Sequence, residues 1–222
     1  MSEIAEARTR RRDGADRIGS LEGADPAEIV VVVSGLPRSG TSMMMQALAA
    51  GGIAPFTDEK RGADEDNPRG YFEHEKATQL ARDASWIPEA RGKVVKIVAQ
   101  LLPNLPRGPR TPKYRIVFMD RDLREIVKSQ RAMLDRLGRS GGRLGDAGMM
   151  KTLDAQVAQI ERTLRNRADV ECLFVDYAKV VEDPAGEMTR VAAFLGEGGS
   201  GLDAGAMATA IDPSLRRQRE EG

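Results

Sequence analysis

Three observations predict a three-layer α/β fold with a central, mainly parallel sheet flanked by helices. Four apolar runs, at 29–33 (IVVVV), 94–98 (VVKIV), 115–119 (RIVFM) and 171–175 (ECLFV), are continuous rather than alternating. That is the pattern of strands covered on both faces. Helical stripes lie between the runs, and strands alternating with helices form layered sheets with right-handed crossovers. Finally, 222 residues with 41% hydrophobic content suffice for one substantial core. The reading is a flexible N-terminal arm over 1–27 and a single α/β domain over 28–222.

The elements follow in order. The first strand at 29–33 runs into a glycine-bearing turn and then an apolar helix. A fifth run at 52–56 (GIAPF) is expected at a sheet edge, because Pro55 removes a ladder hydrogen bond that a central strand needs. Leu123, Ile126, Val127, Gln130, Leu134 and Leu137 fall on one helical face, and Met150, Leu153, Val157, Ile160 and Leu164 form a second stripe. Asp183 and Pro184 open another helix as cap and first residue, carrying Met188, Val191, Ala192 and Leu195 to the core before Gly196 ends it. Polar segments at 56–71, 104–113 and 138–148 read as loops. Sites in open α/β sheets lie beyond the carboxyl ends of the strands, so loops on that edge are lid or substrate-loop candidates.

The whole-chain balance of 34 basic and 34 acidic residues points to neither nucleic acid nor membrane as partner. The basic run Arg8, Arg10, Arg11 and Arg12 reads as a solvated tail. Cys172, the single cysteine, lies inside an apolar strand and has no partner for an intrachain disulfide, which fits a reducing, cytoplasmic setting. Neither a charged-then-apolar leader nor an apolar run of membrane-spanning length is evident.

The stretch SGLPRSGTSMMMQAL at 34–48 carries the chemistry. Strand, glycine turn and helix make a phosphate cradle, since successive backbone N–H groups and the positive end of the helix dipole point at one spot. Gly35 and Gly40 followed by Thr41 and Ser42 fit the Walker A frame, but Thr41 stands where its lysine belongs. That lysine reaches the β- and γ-phosphates, so a ligand needing the loop without it is less charged than a triphosphate with magnesium. A phosphosulfate meets the requirement, because its terminal sulfuryl group carries one negative charge where a phosphoryl carries about two. Backbone amides, Thr41, Ser42 and the cation Arg38 would then hold it without a metal.

PRSGTS at 37–42 resembles the 5′-phosphosulfate loop of sulfotransferases that use 3′-phosphoadenosine 5′-phosphosulfate (PAPS). This resemblance implies a P-loop-like fold and a cofactor contact at Pro37, Arg38, Ser39, Gly40, Thr41 and Ser42. A second motif, Arg121 at a strand end with Ser129 eight residues on, resembles the family's 3′-phosphate site. An arginine fork and a hydroxyl about two helical turns later suit one phosphate. The competing reading makes Asp120 a magnesium ligand and pairs Arg121 with Asp122 or Glu125. The segment 174–196, ending in FLG, resembles the family's strand, acidic-proline turn and helix, and IDPSLRRQR at 211–219 resembles a tail in which Arg216 and Arg217 would close over the cofactor.

In-line sulfuryl transfer needs a base, cations and positioning. Arg38 and Lys96 are the expected catalytic cations. Lys96 sits in an apolar strand, where an anion is expected nearby, and matches the lysine of the family's KTH motif. The histidine of that motif is replaced by Val98, so the base is expected elsewhere or is dispensable. Related branches use a glutamate, which makes Glu73 the first candidate and His74, the only histidine, the second. Glu73, His74 and Glu75 are expected to open a helix, with His74 turned about 100° from Glu73. Tyr71, Phe72 and Trp86 form a possible acceptor lining or core cluster. The expected acceptor is a hydroxyl or amine on a small metabolite, saccharide or peptide. A P-loop kinase or NTPase, and a noncatalytic nucleotide-binding module, remain the alternative functions.

Overall fold

The computed structural model describes residues 16–58, 72–136, 138, 145–196 and 201–212. Its centre is a five-stranded sheet of β1 (Arg17–Ile18), β2 (Ile29–Gly35), β3 (Val94–Lys96), β4 (Lys113–Asp120) and β5 (Val170–Asp176), in the spatial order β1-β5-β4-β2-β3. The strands β2 to β5 run parallel, and β1 alone is antiparallel. The helices are α1 (Thr41–Ala50), α2 (Glu75–Thr78), α3 (Leu123–Arg136), α4 (Asp146–Arg165), α5 (Tyr177–Glu182), α6 (Pro184–Gly196) and α7 (Ala204–Ala210).

The continuous apolar runs are explained by two cores, one on each face. Val30, Val32, Ile116 and Phe118 point to the side covered by α3 and α4. Their neighbours Val33, Val117 and Met119 point to the side covered by α1, α6 and α7. Successive side chains of a strand face opposite ways, so most positions of a doubly covered strand are apolar, with Ser34, Arg115 and Glu171 the buried polar exceptions. The chain passes from β2 to β3 on one side and returns across β2 to β4 on the other. The carboxyl ends of β2 and β4 therefore flank the reversal in strand order, where open α/β sheets bind ligands.

Several expectations need correction. Residues 52–56 make an isolated bridge, Pro55 to Val94, rather than a strand; Pro55 has no N–H with which to extend a ladder. The expected arm is structured over its second part. Arg17 and Ile18 pair with Leu173 and Cys172 of β5, and Leu21, Ala24 and Ile29 form a small buried cluster. Residues 1–15, with the basic run, lie outside the described residues. The strand at 94–98 ends at Lys96, although the Ile97 N–H still donates to the Val33 carbonyl at 3.0 Å. The stripe at 123–137 is buried only over its first half, through Leu123, Ile126 and Val127; Leu137 lies outside the described residues. Cys172 is buried and unbridged. Among the described residues no helix is long and apolar enough to cross a membrane.

Candidate active site

The β2 strand ends at Gly35 and α1 starts at Thr41, so residues 36–40 form the predicted loop. Its glycines are demanded by backbone and by space. Gly35 has φ 153°, and a Cβ there would lie 2.3 Å from Ser39 Oγ and 2.7 Å from the Met119 carbonyl oxygen. Gly40, the N-cap of α1, has φ 98°, a region closed to most side chains; a Cβ there would lie 2.6 Å from the Tyr177 ring. Among the described residues no side chain caps α1, which leaves its first amides directed into the loop. Ser39 is fully buried, and its Oγ has no hydrogen-bond partner among the described residues.

Arg38 takes a positive φ of 74°, uncommon for a residue with a side chain. Neighbouring groups hold it there. Arg38 Nε donates to Ser129 Oγ at 3.0 Å, and Arg121 Nη1 donates to the Arg38 carbonyl at 3.0 Å. Gln130 Nε2 donates to the Pro37 carbonyl at 3.2 Å. The two expected phosphate motifs are thus one contiguous structure. The expected grouping changes, however: the Arg38 guanidinium reaches Ser129 of the second motif rather than Lys96. Arg121 also pairs with Glu125, Nε to Oε2 at 2.8 Å, and its guanidinium lies 4.2 Å from the Tyr177 ring centroid.

Lys96 emerges from the carboxyl end of β3, beside Val33 of β2. Its Nζ donates to Ser42 Oγ at 3.1 Å and pairs with Glu73 Oε1 at 3.3 Å. The anion expected beside this lysine is Glu73, 23 residues earlier in the chain. Glu73 is positioned by Thr57, whose Oγ1 donates to the Glu73 carbonyl at 2.9 Å, and by Phe72, at φ 51°.

The other base candidate is placed differently. The helix opens at Glu75, and His74 is its extended N-cap, so Glu73 and His74 do not share a helix. His74 Nδ1 accepts from the Lys76 N–H at 3.2 Å and lies 3.6 Å from Asp58 Oδ2. Its ring stacks on Phe56 at 4.6 Å between centroids, and Phe56 stacks on Trp86 at 5.4 Å. Trp86 is 1% exposed, which makes it a core residue and removes it from an acceptor lining. Tyr71, Arg216 and Arg217 lie outside the described residues.

The 104–113 segment precedes β4 and so lies at the amino edge, away from these groups. Arg167 ties it down by donating to the Leu105 and Pro106 carbonyls at 2.9 and 3.0 Å. Three residues of the site carried no expectation of a site role: Tyr177, Gln130 and Thr57. Glu125 entered only as the partner of Arg121 in the competing reading, and its spacing four residues after Arg121 on a helix was the available signal. Among the described residues, no group of three or more His, Cys, Asp or Glu is placed to hold a metal ion.

A parallel sheet whose carboxyl edge carries a glycine loop, an uncapped helix and converging cations defines a P-loop-like α/β protein. Residues 110–198 match the family model described as the sulfotransferase family; the match spans β4 to α6, including Arg121, Ser129 and Tyr177. Among solved structures, the sulfotransferase domain from the Synechococcus PCC 7002 olefin synthase is similar at 14% identity and TM-score 0.44, over 80% of this chain and 76% of that one. The sulfotransferase domain from the curacin biosynthetic pathway is similar at 16% identity and TM-score 0.43, over 83% and 84%. Retinol dehydratase, solved with androsterone and the inactive cofactor PAP, is similar at 15% identity and TM-score 0.45, over 84% of this chain and 63% of that one. No curated protein matches the chain.

Proposed function

We propose that the protein transfers a sulfuryl group from PAPS to a hydroxyl or amine acceptor. The observation that carries the reading is the convergence on Lys96 Nζ of Ser42, from the phosphate loop, and Glu73, from the loop after β2 and α1. A cation at the donor loop and a carboxylate beside it are the two groups that in-line transfer requires.

The residues fit the donor. The uncapped start of α1 and the buried, unpartnered Ser39 hydroxyl lie in the loop, which would take the 5′-phosphosulfate with Thr41 and Ser42. Arg38, Arg121 and Ser129 form a linked set that would take the 3′-phosphate. The donor supplies the sulfuryl group as an activated phosphosulfate anhydride. Glu73 removes the acceptor's proton as the new bond to sulfur forms. Lys96 Nζ, already at a loop hydroxyl, stabilises the negative charge that grows on the leaving side. Val98 at the position of the family's histidine is compatible with this arrangement, because the carboxylate enters from another segment. His74 caps a helix and stacks in an aromatic ladder, which supports Glu73 over it as the base.

Calorimetric titration with adenosine 3′,5′-bisphosphate, AMP and ATP, with and without magnesium, tests the donor assignment. The expected result is tight, magnesium-independent binding of the bisphosphate, with AMP much weaker. Preference for magnesium–ATP would replace the reading with a kinase. Bisphosphate binding without sulfuryl transfer to any of a broad panel of alcohols and amines would leave a noncatalytic nucleotide module.

A further inference from the structure

We propose that Tyr177 is a positioning residue that joins the two phosphate-binding regions, its ring fixing Arg121 against the loop at Gly40; the proposal rests on the donor reading above. Tyr177 is the first residue of α5, immediately after β5, and is 6% exposed. Asp176 fixes the start of that helix by accepting from the Ala178 N–H at 2.7 Å and the Lys179 N–H at 3.3 Å. The ring is therefore carried on a strand end and a capped helix rather than on a loop.

Two contacts meet on that ring. The Arg121 guanidinium carbon lies 4.2 Å from its centroid, within the range of a cation–aromatic interaction. Gly40 lies against the other contact region: a Cβ there would come 2.6 Å from Cδ2 and 3.0 Å from Cε2. Arg121 is also held by two acceptors, Glu125 Oε2 at 2.8 Å from Nε and the Arg38 carbonyl at 3.0 Å from Nη1. The two acceptors set where the fork points, and the ring packed against the guanidinium restricts its movement. Because the same ring abuts Gly40, displacing it moves Arg121 and the start of α1 together. The binding of a 3′-phosphate and the shape of the 5′ loop are coupled through one side chain.

The test compares the full-length wild type with Tyr177→Phe and Tyr177→Leu, titrated with adenosine 3′,5′-bisphosphate and AMP. The readout is the ratio of the two affinities, which general destabilisation does not change. Tyr177→Phe keeps the ring and should keep the ratio. Tyr177→Leu should lower it by about tenfold, the scale of one desolvated cation–aromatic contact. An unchanged ratio in Tyr177→Leu, including equal weakening of both ligands, overturns the positioning role while leaving the donor reading intact. No preference for the bisphosphate in the wild type overturns the donor reading and this proposal with it. Should Tyr177→Leu not fold, the Arg121 Nε–H resonance of the wild type, assigned with Arg121→Lys, decides. Ring-current displacement that persists in the bisphosphate complex is expected, and its disappearance on binding overturns the proposal.

Discussion

At the amino ends of the strands, buried charges are completed by the chain's own acceptors. Glu171, fully buried, accepts from Arg17 Nε at 2.8 Å and from Arg115 Nε at 3.3 Å, and Arg115 Nη1 goes on to the Leu195 carbonyl at 3.0 Å. Arg167 likewise ends on Asp169 and two carbonyls. The carboxyl ends differ. Both described non-glycine residues with positive φ, Arg38 and Phe72, lie there, and so do the uncapped start of α1 and the unpartnered Ser39 hydroxyl. Backbone strain of this kind costs about 1–3 kcal/mol per residue and persists where surrounding structure over-determines it. One end of the sheet is built for self-sufficiency, the other for an arrangement that the proposed donor would complete.

The largest effect that can break this contrast is expected from Glu171→Ala. Removing the carboxylate strips the buried Arg115 of its Glu171 counter-charge, so urea denaturation should report a loss of about 3–5 kcal/mol, with bisphosphate affinity unchanged in the folded protein. Lost affinity with intact stability would mean that the two ends are not separate. At the other end, Glu73→Gln should cut sulfuryl transfer by about a hundredfold while leaving bisphosphate affinity and melting temperature near the wild-type values. Normal turnover would remove Glu73 as the base.

The smallest expected effect sharpens the description of the amino end. Burial, the leading cause, pushes the Tyr114 phenol up from 10.0 to about 12, and its hydroxyl donates to the Pro106 carbonyl at 3.3 Å. A folded pKa above the unfolded one gives stability that is complete below pH 10 and lost as pH rises toward 12. By pH 11 the loss should be about 1 kcal/mol, seen as a lowered urea midpoint and absent from Tyr114→Phe. An equal pH dependence in that variant would assign the effect to other groups.

The four parallel strands were legible because double coverage writes itself as continuous apolar sequence. The two-residue β1 has no period to detect, and α7, AGAMATA, buries only Met207, so neither left a signal. Within the site, the loop, Lys96 and Glu73 were recognisable by residue type and by family resemblance. Their meeting was not, since residues 23 apart in sequence are brought together by sheet register and by the turn at Phe72. The helical expectation for Glu73 and His74 failed because His74 takes extended backbone, φ −128° and ψ 130°, to cap the helix that follows. Tyr177 looked like part of a packing segment; only the approach of Gly40 and Arg121 from distant strands gives its ring a second role.

The short β1 strand also bears on how the molecule behaves toward its neighbours. A bare strand edge offers unpaired backbone groups to any other chain. Here Arg17 and Ile18 cover one side of β5, with the Phe174 N–H donating to the Asp16 carbonyl at 2.7 Å. At the opposite edge, β3 meets the Pro55 bridge, and the Phe56 N–H donates to the Val94 carbonyl at 2.7 Å. Few residues thus keep a sheet of adhesive strands from propagating, and the one at 17 also neutralises Glu171. Cutting the chain after residue 18 would expose the edge and strip a buried carboxylate of a partner in the same stroke, converting a stability defect into self-association.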